Sequence, residues 1–271
     1  MSQQSTLALK VTRWRNFEPS PVKDQLVVEE PLEIRVEGQS LIVVMRTPGN
    51  DFELAVGFLY TEGIIKSADD IGAIAYCEDV DVDAEGNIIN VHLTNGWTIE
   101  SESGWQRNFH ANASCGLCGK MTIESVNREA PAIDSKLQIS QAVLYQLNDT
   151  LRETQSIFEV TGGLHAAGLF NVQGELLISR EDIGRHNAID KVIGQALLAE
   201  IHPLDENLVM VSGRASFEII QKALFARIPM VVAVSAASSL AVELARESQI
   251  TLIGFMRGKS MTVYTRPDRI H

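Results

Sequence analysis

The chain has 271 residues, 45% apolar and 21% charged, the make-up of a globular protein with one large or two modest domains and a substantial core. Its formal charge of −12 excludes non-specific nucleic-acid binding, which needs a basic face for counterion release. No apolar run is long enough to cross a bilayer, "MSQQSTLALKVTRW" has no basic-then-apolar leader, and three cysteines fit a reducing compartment, so the expectation is a cytoplasmic protein with neither nucleic-acid nor membrane partners.

The first thirty residues, with Pro19, Pro21 and Pro31 among mixed charges, read as irregular. "LEIRVEGQSLIVVMRTP" follows as a hairpin broken at Glu37-Gly38-Gln39. "NDFELAVGFLYTEGII" switches to helical period, with Asn50 as N-cap, Glu53 returning the capping bond, Leu54, Phe58 and Leu59 as the apolar stripe, and Gly63 as terminator. "IGAIAYCEDV" and "GNIINVHLTNGWTIE" alternate as strands, and Cys77 reads as a buried structural thiol. A loop of small residues follows, then a short helix over "MTIESVNREA".

After Pro131 the pattern changes. "SQAVLYQLNDTLRETQSIF" is an amphipathic helix with Val143, Leu144, Leu147 and Leu151 on one face. Apolar runs then alternate with helical segments to the end of the chain, which predicts a mostly parallel sheet covered by helices. The fold class expected is α/β (α+β overall), divided into a β-rich part over 1–125 ending in the small-residue loop and an α/β domain over 126–271.

That loop carries Cys115-Gly116-Leu117-Cys118. A structural zinc site would need two more ligands, and His110 offers only one nearby. A thioredoxin-like site would need the pair at a helix start just after a strand, and here it follows a loop of Ala, Ser and Gly. Relay of sulfane sulfur suits a loop with glycines at 116 and 119, because a thiolate must receive sulfur at one place and present it at another. Lys120 and a following helix N-terminus would favour that thiolate. A zinc deaminase is ruled out: "LHAAG" has Ala167 where the catalytic Glu belongs, and the cysteine pair lies upstream without its proline.

Four later loops share one chemistry. "TGGLH" offers the Gly162 and Gly163 N–H groups with His165 behind them; "SREDIGRHN" carries Arg180, Arg185 and His186 before a helix that Asn187 would cap; "SGRAS" holds Arg214; "GFMRGKS" sets Arg257 and Lys259 around a glycine. No Walker loop or GxGxxG is present. In an α/β sheet such strand-end loops gather on one side, where helix N-termini favour anions. A phosphate or pyrophosphate site follows, with Asp182 and Asp190 as readers of a base or ribose.

Together "ELAVGFLYTEGII", "SCGLCGK", "TGGLHAAGLF", "SREDIGRHNAIDKVIG", "VSGRASFEIIQKA" and "GFMRGKS" resemble the formate dehydrogenase accessory sulfurtransferase family, FdhD. The resemblance implies a cytoplasmic homodimer whose larger domain is similar to cytidine deaminases. It implies a chain that accepts sulfur from a cysteine desulfurase as a cysteine persulfide. The sulfur would pass to the molybdenum cofactor with two molybdopterin guanine dinucleotides, bound as substrate and mimicked by a GDP- or GMP-like nucleotide. Formate dehydrogenase would be the recipient. Cys115 matches the family's persulfide carrier, Cys118 its supporting thiol, and Gly254, Phe255, Met256, Arg257, Gly258 and Lys259 its cofactor-binding stretch. The alternatives are a non-catalytic cofactor chaperone and a zinc-binding protein.

Overall fold

A computed structural model describes residues 4–77, 84–94, 130–201 and 203–271. The proline-containing start, read as irregular, forms two ten-residue antiparallel strands, β1 Thr6–Arg15 and β2 Glu18–Val27. The two-residue turn between them, Asn16-Phe17, has φ of 51° and 67°. With Arg15 opposite Glu18 flanking that turn, Pro19 and Pro21 fall at alternate positions whose nitrogens point out of the hairpin, where no ladder bond is lost.

The segment 30–46 folds as the expected hairpin, β3 Glu30–Val36 and β4 Gln39–Arg46, with Glu37 and Gly38 at φ 51° and 77°. With β5 Ile71–Tyr76 and β6 Ile88–Leu93 it makes a four-stranded sheet in the order β4-β3-β6-β5. Cys77, at the end of β5, is half-buried and not core. The helix between, α1 Asp51–Thr61, buries Leu54, Phe58 and Leu59. Asn50 does not cap it: the residue is left-handed (φ 57°), and its amide donates to Glu53 Oε1 at 3.1 Å.

In the second half, Ser140 caps α2 Gln141–Glu153, which buries Leu144, Leu147 and Leu151. A short α3 Ser156–Thr161 leads into β7 His165–Phe170 and β8 Leu176–Asp182. Then come α4 Arg185–Leu198, β9 Leu208–Val211, α5 Phe217–Phe225, β10 Met230–Ala233, α6 Ser239–Glu247, β11 Thr251–Arg257 and β12 Ser260–Val263. They form a six-stranded sheet in the order β12-β11-β10-β9-β7-β8. The sheet is mixed, not mostly parallel. Only β9, β10 and β11 are paired parallel; β7 and β12 run against them, and β8 pairs antiparallel with β7. The connections decide this, since the β7–β8 and β11–β12 links are tight turns, too short for a crossover.

One core packs the helical side of this sheet and runs without interruption from Leu32 of β3, through α1, α4, α5 and α6, to Leu252 of β11. A second core lies under α2 on the opposite face, with Phe170, Met210, Val232 and Met256. The closest approach is between α1 and α4. A Cβ on Gly57 would stand 1.9 Å from the Asp190 carbonyl oxygen, and one on Gly194 would stand 1.9 Å from that of Glu53. Among the described residues no helix is long and apolar enough to cross a membrane.

Candidate functional site

Strand direction gathers the candidate residues on one edge of the six-stranded sheet. The carboxyl ends of β9, β10 and β11 lie there, and so does the start of antiparallel β7, where His165 pairs with Asp182 of β8. Helices α4, α5 and α6 each begin at this edge, directly after a strand. The loops are stitched side to side: Ala215 N donates to Ala236 O (3.1 Å), Ser238 N to Ala215 O (3.0 Å) and Phe255 N to Ser235 O (3.0 Å). Neither Gly184 before α4 nor Ser216 before α5 caps its helix with a side chain, so among the described residues no N-cap side chain takes the first-turn N–H groups of either helix.

The charge at this edge is concentrated around His165. Burial holds its pKa below the ordinary imidazole value, aided by the positive charges of Arg185, His186 and Arg214, against a weaker pull from Asp182. The ring lies on Gly213, where an added Cβ would stand 3.4 Å from Nδ1. Arg185 opens α4, and its buried Nε has no partner among the described residues. Arg214 is exposed on the β9–α5 loop. The His186 Nε2 is 2.6 Å from Glu218 Oε2 and 3.2 Å from Ser216 Oγ. The Ser216 hydroxyl thus serves the histidine in place of the helix end.

At the far end of the same edge, Gly254 passes so close to its neighbours that a Cβ would meet Ser235 O and Tyr264 Cε2 at 3.0 Å. Phe255 then adopts φ 53° in a bulge and is exposed, Met256 turns into the core, and Arg257, Gly258 (φ 51°) and Lys259 project into solvent. A left-handed aromatic costs about 1–3 kcal/mol and persists only where its surroundings enforce it. Here the enforcement is the antiparallel return into β12.

Other expected residues do not join this group. Arg180 forks onto both carboxylate oxygens of Glu53 in α1 and reaches Gln195 at 2.9 Å, so it ties helix to sheet. Asp182 and Asp190 both turn to buried protein partners. Asp182 is fully buried against Lys191 (2.7 Å) and accepts from Gly184 N and the Asn187 amide, both at 2.8 Å. Asn187 therefore fixes Asp182 and does not cap α4. Asp190 is buried against Lys222 and Thr61, each at 2.8 Å. The N–H groups of Gly162 and Gly163 are also taken, by Phe158 O and Thr161 Oγ1. What those glycines contribute is the left-handed turn (Gly162, φ 67°) that sets the chain into His165. Cys115 and Cys118, with His110, Lys120 and the helix expected over 121–130 up to Glu129, lie outside the described residues.

An edge with two helix starts lacking side-chain caps, an unpartnered guanidinium nitrogen, an exposed arginine and a basic turn is suited to hold an elongated anion. The family model for the FdhD/NarQ family matches residues 27–271. The chain belongs to the FdhD/NarQ family. It is 51% identical over 252 residues to the sulfur carrier protein FdhD of Mycolicibacterium paratuberculosis, covering 91% of this chain and 92% of that one. It is 48% identical to the sulfur carrier protein FdhD of Streptomyces avermitilis (96% and 94% covered) and 42% identical to that of Sulfolobus acidocaldarius (97% of each). The fold matches the crystal structure of a protein assigned as a formate dehydrogenase accessory protein from Desulfotalea psychrophila, with TM-score 0.78 at 23% identity over 99% of this chain and 100% of that one. The sheet edge lies wholly within the FdhD/NarQ match, whereas the β1–β2 hairpin precedes it almost entirely.

Sequence reasoning missed Glu218 and the Ser235–Ser238 loop. The second had a visible signal: "VSGRAS" and "VSAASS" are two copies of one small-residue strand-to-helix turn, and the structure sets them side by side through the Ala215–Ala237 bridge. Glu218 lies one turn inside α5 and had no such marker.

Proposed function

We propose that this FdhD/NarQ-family chain is a sulfurtransferase. The Cys115 thiolate attacks the outer sulfur of a cysteine desulfurase's persulfide; the donor leaves as thiolate and Cys115 carries the new S–S bond. The Cys118 thiolate then attacks the inner sulfur on Cys115, so a Cys115–Cys118 disulfide forms and the outer sulfur leaves at the sulfide level, the thiol pair supplying the two electrons. The acceptor is the molybdenum cofactor with two molybdopterin guanine dinucleotides, held as substrate while its metal receives sulfur for formate dehydrogenase. The pyrophosphate groups lie along the strand ends, met by Arg185, Arg214, Arg257, Lys259 and the α4 and α5 N-termini. A GDP- or GMP-like nucleotide fits the same edge.

The observation that carries this reading is the gathering of those cations and helix starts on one sheet edge of an otherwise acidic chain. The relatives' description as sulfur carrier proteins supports the sulfur chemistry. An antiparallel pair followed by three parallel strands, with helices on both faces, supports a cytidine-deaminase-like larger domain over 126–271 beside a β-rich part over 1–125. Cytoplasmic location and homodimer formation belong to the same reading.

The test is intact mass spectrometry after incubation with a cysteine desulfurase and cysteine. The wild-type chain gains one sulfur mass, removable by thiols, and Cys115→Ala gains none. Equal loading of the variant removes Cys115 from the role.

A further inference from the structure

Among the described residues, the β1–β2 hairpin is anchored only near its base, where Ser5 Oγ donates to Pro48 O at 3.1 Å and Val27 packs by Gly163 and α3. Beyond that, nearly all of both faces is exposed or half-exposed. The register puts Leu7, Leu9, Val11, Val22 and Leu26 on one face. At the outer end Trp14 is 67% exposed and Phe17 97% exposed. A two-stranded ribbon alone in water is marginal at best, and this one presents apolar side chains along its length. The turn sharpens the point. Two consecutive positive φ values suit Asn-Gly, yet the chain places Phe17 at the second position and holds its ring in water.

We propose that this hairpin is a docking arm for a protein partner bearing an apolar groove rimmed by carboxylates, and that the partner is the recipient dehydrogenase. Charge selects the surface. In a chain of net charge −12 the hairpin carries Lys10, Arg13, Arg15 and Lys23 against only Glu18 and Asp24. Hairpin-to-hairpin association of two copies would bring like charges together. Strand addition along β2 is blocked by the outward nitrogens of Pro19 and Pro21, so recognition goes through side chains. The arm's base packs on Gly163, two residues before His165 of the proposed cofactor edge, so a partner held by the arm lies beside the cofactor it is to receive. The partner's identity rests on the proposed function; the docking surface does not.

Phe17→Gly separates binding from folding, because glycine is the residue this turn prefers. Full-length wild type, Phe17→Gly and Leu9→Ser/Trp14→Ser are compared by interferometry against purified formate dehydrogenase lacking its sulfurated cofactor. Both variants should weaken binding about tenfold or more, with wild-type affinity falling as salt rises. Thermal stability of Phe17→Gly and desulfurase-dependent loading should stay unchanged. Unchanged affinity in both variants, or no binding by wild type, overturns the arm. So does a hairpin effect confined to self-association, or to anionic phosphatidylglycerol vesicles. Failed sulfur loading with arm-dependent binding intact refutes the sulfurtransferase reading and leaves the arm standing.

Discussion

If the proposed anion site is right, His165 is the residue whose protonation should report on it. Burial first, and then the Arg185, His186 and Arg214 charges, hold its pKa below the ordinary histidine value and so disfavour the imidazolium. Because its folded pKa is depressed, its contribution to stability is full above the ordinary histidine value and is lost as pH falls through the folded value. A bound phosphate reverses the local field and favours the imidazolium. GDP affinity measured by calorimetry should therefore rise as pH drops from about 7.5 toward 6, and His165→Gln should abolish the slope. Arg257→Ala should weaken affinity at every pH and keep the slope. A pH-independent wild type would place the phosphate away from His165. At this scale the sequence singled out His165, Arg185 and Arg214, which the structure brings to one sheet edge, because cations beside glycine and serine at strand ends have a positional meaning. Asp182, Asp190 and Arg180 pair with protein groups instead, which the sequence could not show for a physical reason. A charged side chain near a loop looks the same whether it meets a ligand or a buried partner such as Lys191, Lys222 or Glu53.

Among the elements, the α1–α4 crossing bears most on the site, since α4 presents Arg185 and His186 from its first turn. Its closeness depends on Gly57 and Gly194, where any side chain would overlap the opposing backbone. Gly194→Ala gains about 1 kcal/mol of helix propensity but must force the helices apart, which costs about 1–3 kcal/mol or more. Urea unfolding should show net destabilisation; a more stable variant would mean the crossing relaxes freely. Legibility differed by element. The helices, and the strands of the second half, could be read from periodicity and apolar runs. The β1–β2 hairpin could not, because prolines usually argue against strands and are tolerated here only at outward positions. The direction of β7, β8 and β12 was hidden as well, since an apolar run carries no sign of parallel or antiparallel pairing.

For the whole molecule, the two sheets are joined by charge as well as by the continuous core. Lys222 of α5 reaches Asp190 of α4 at 2.8 Å and Thr61 of α1 at 3.0 Å, with Glu62 at 3.7 Å. Burial opposes its charge, yet Asp190 and Glu62 hold its pKa above the ordinary value. This contribution is present below the ordinary lysine range and is lost as pH rises through the folded value. Lys222→Met leaves Asp190 buried without its cation and should cost about 3–5 kcal/mol, roughly 10 °C in melting temperature. A variant melting like wild type would show Asp190 already protonated. The strand order also acts as a ruler. From the strand of His165 to that of Arg257 there are three inter-strand steps, β7 to β9 to β10 to β11, or about 14 Å. A single phosphate spans one step. Only a molecule lying lengthwise across the strand ends can engage both termini of the row, so in the proposed role this edge would select its guest by length before it reads any functional group.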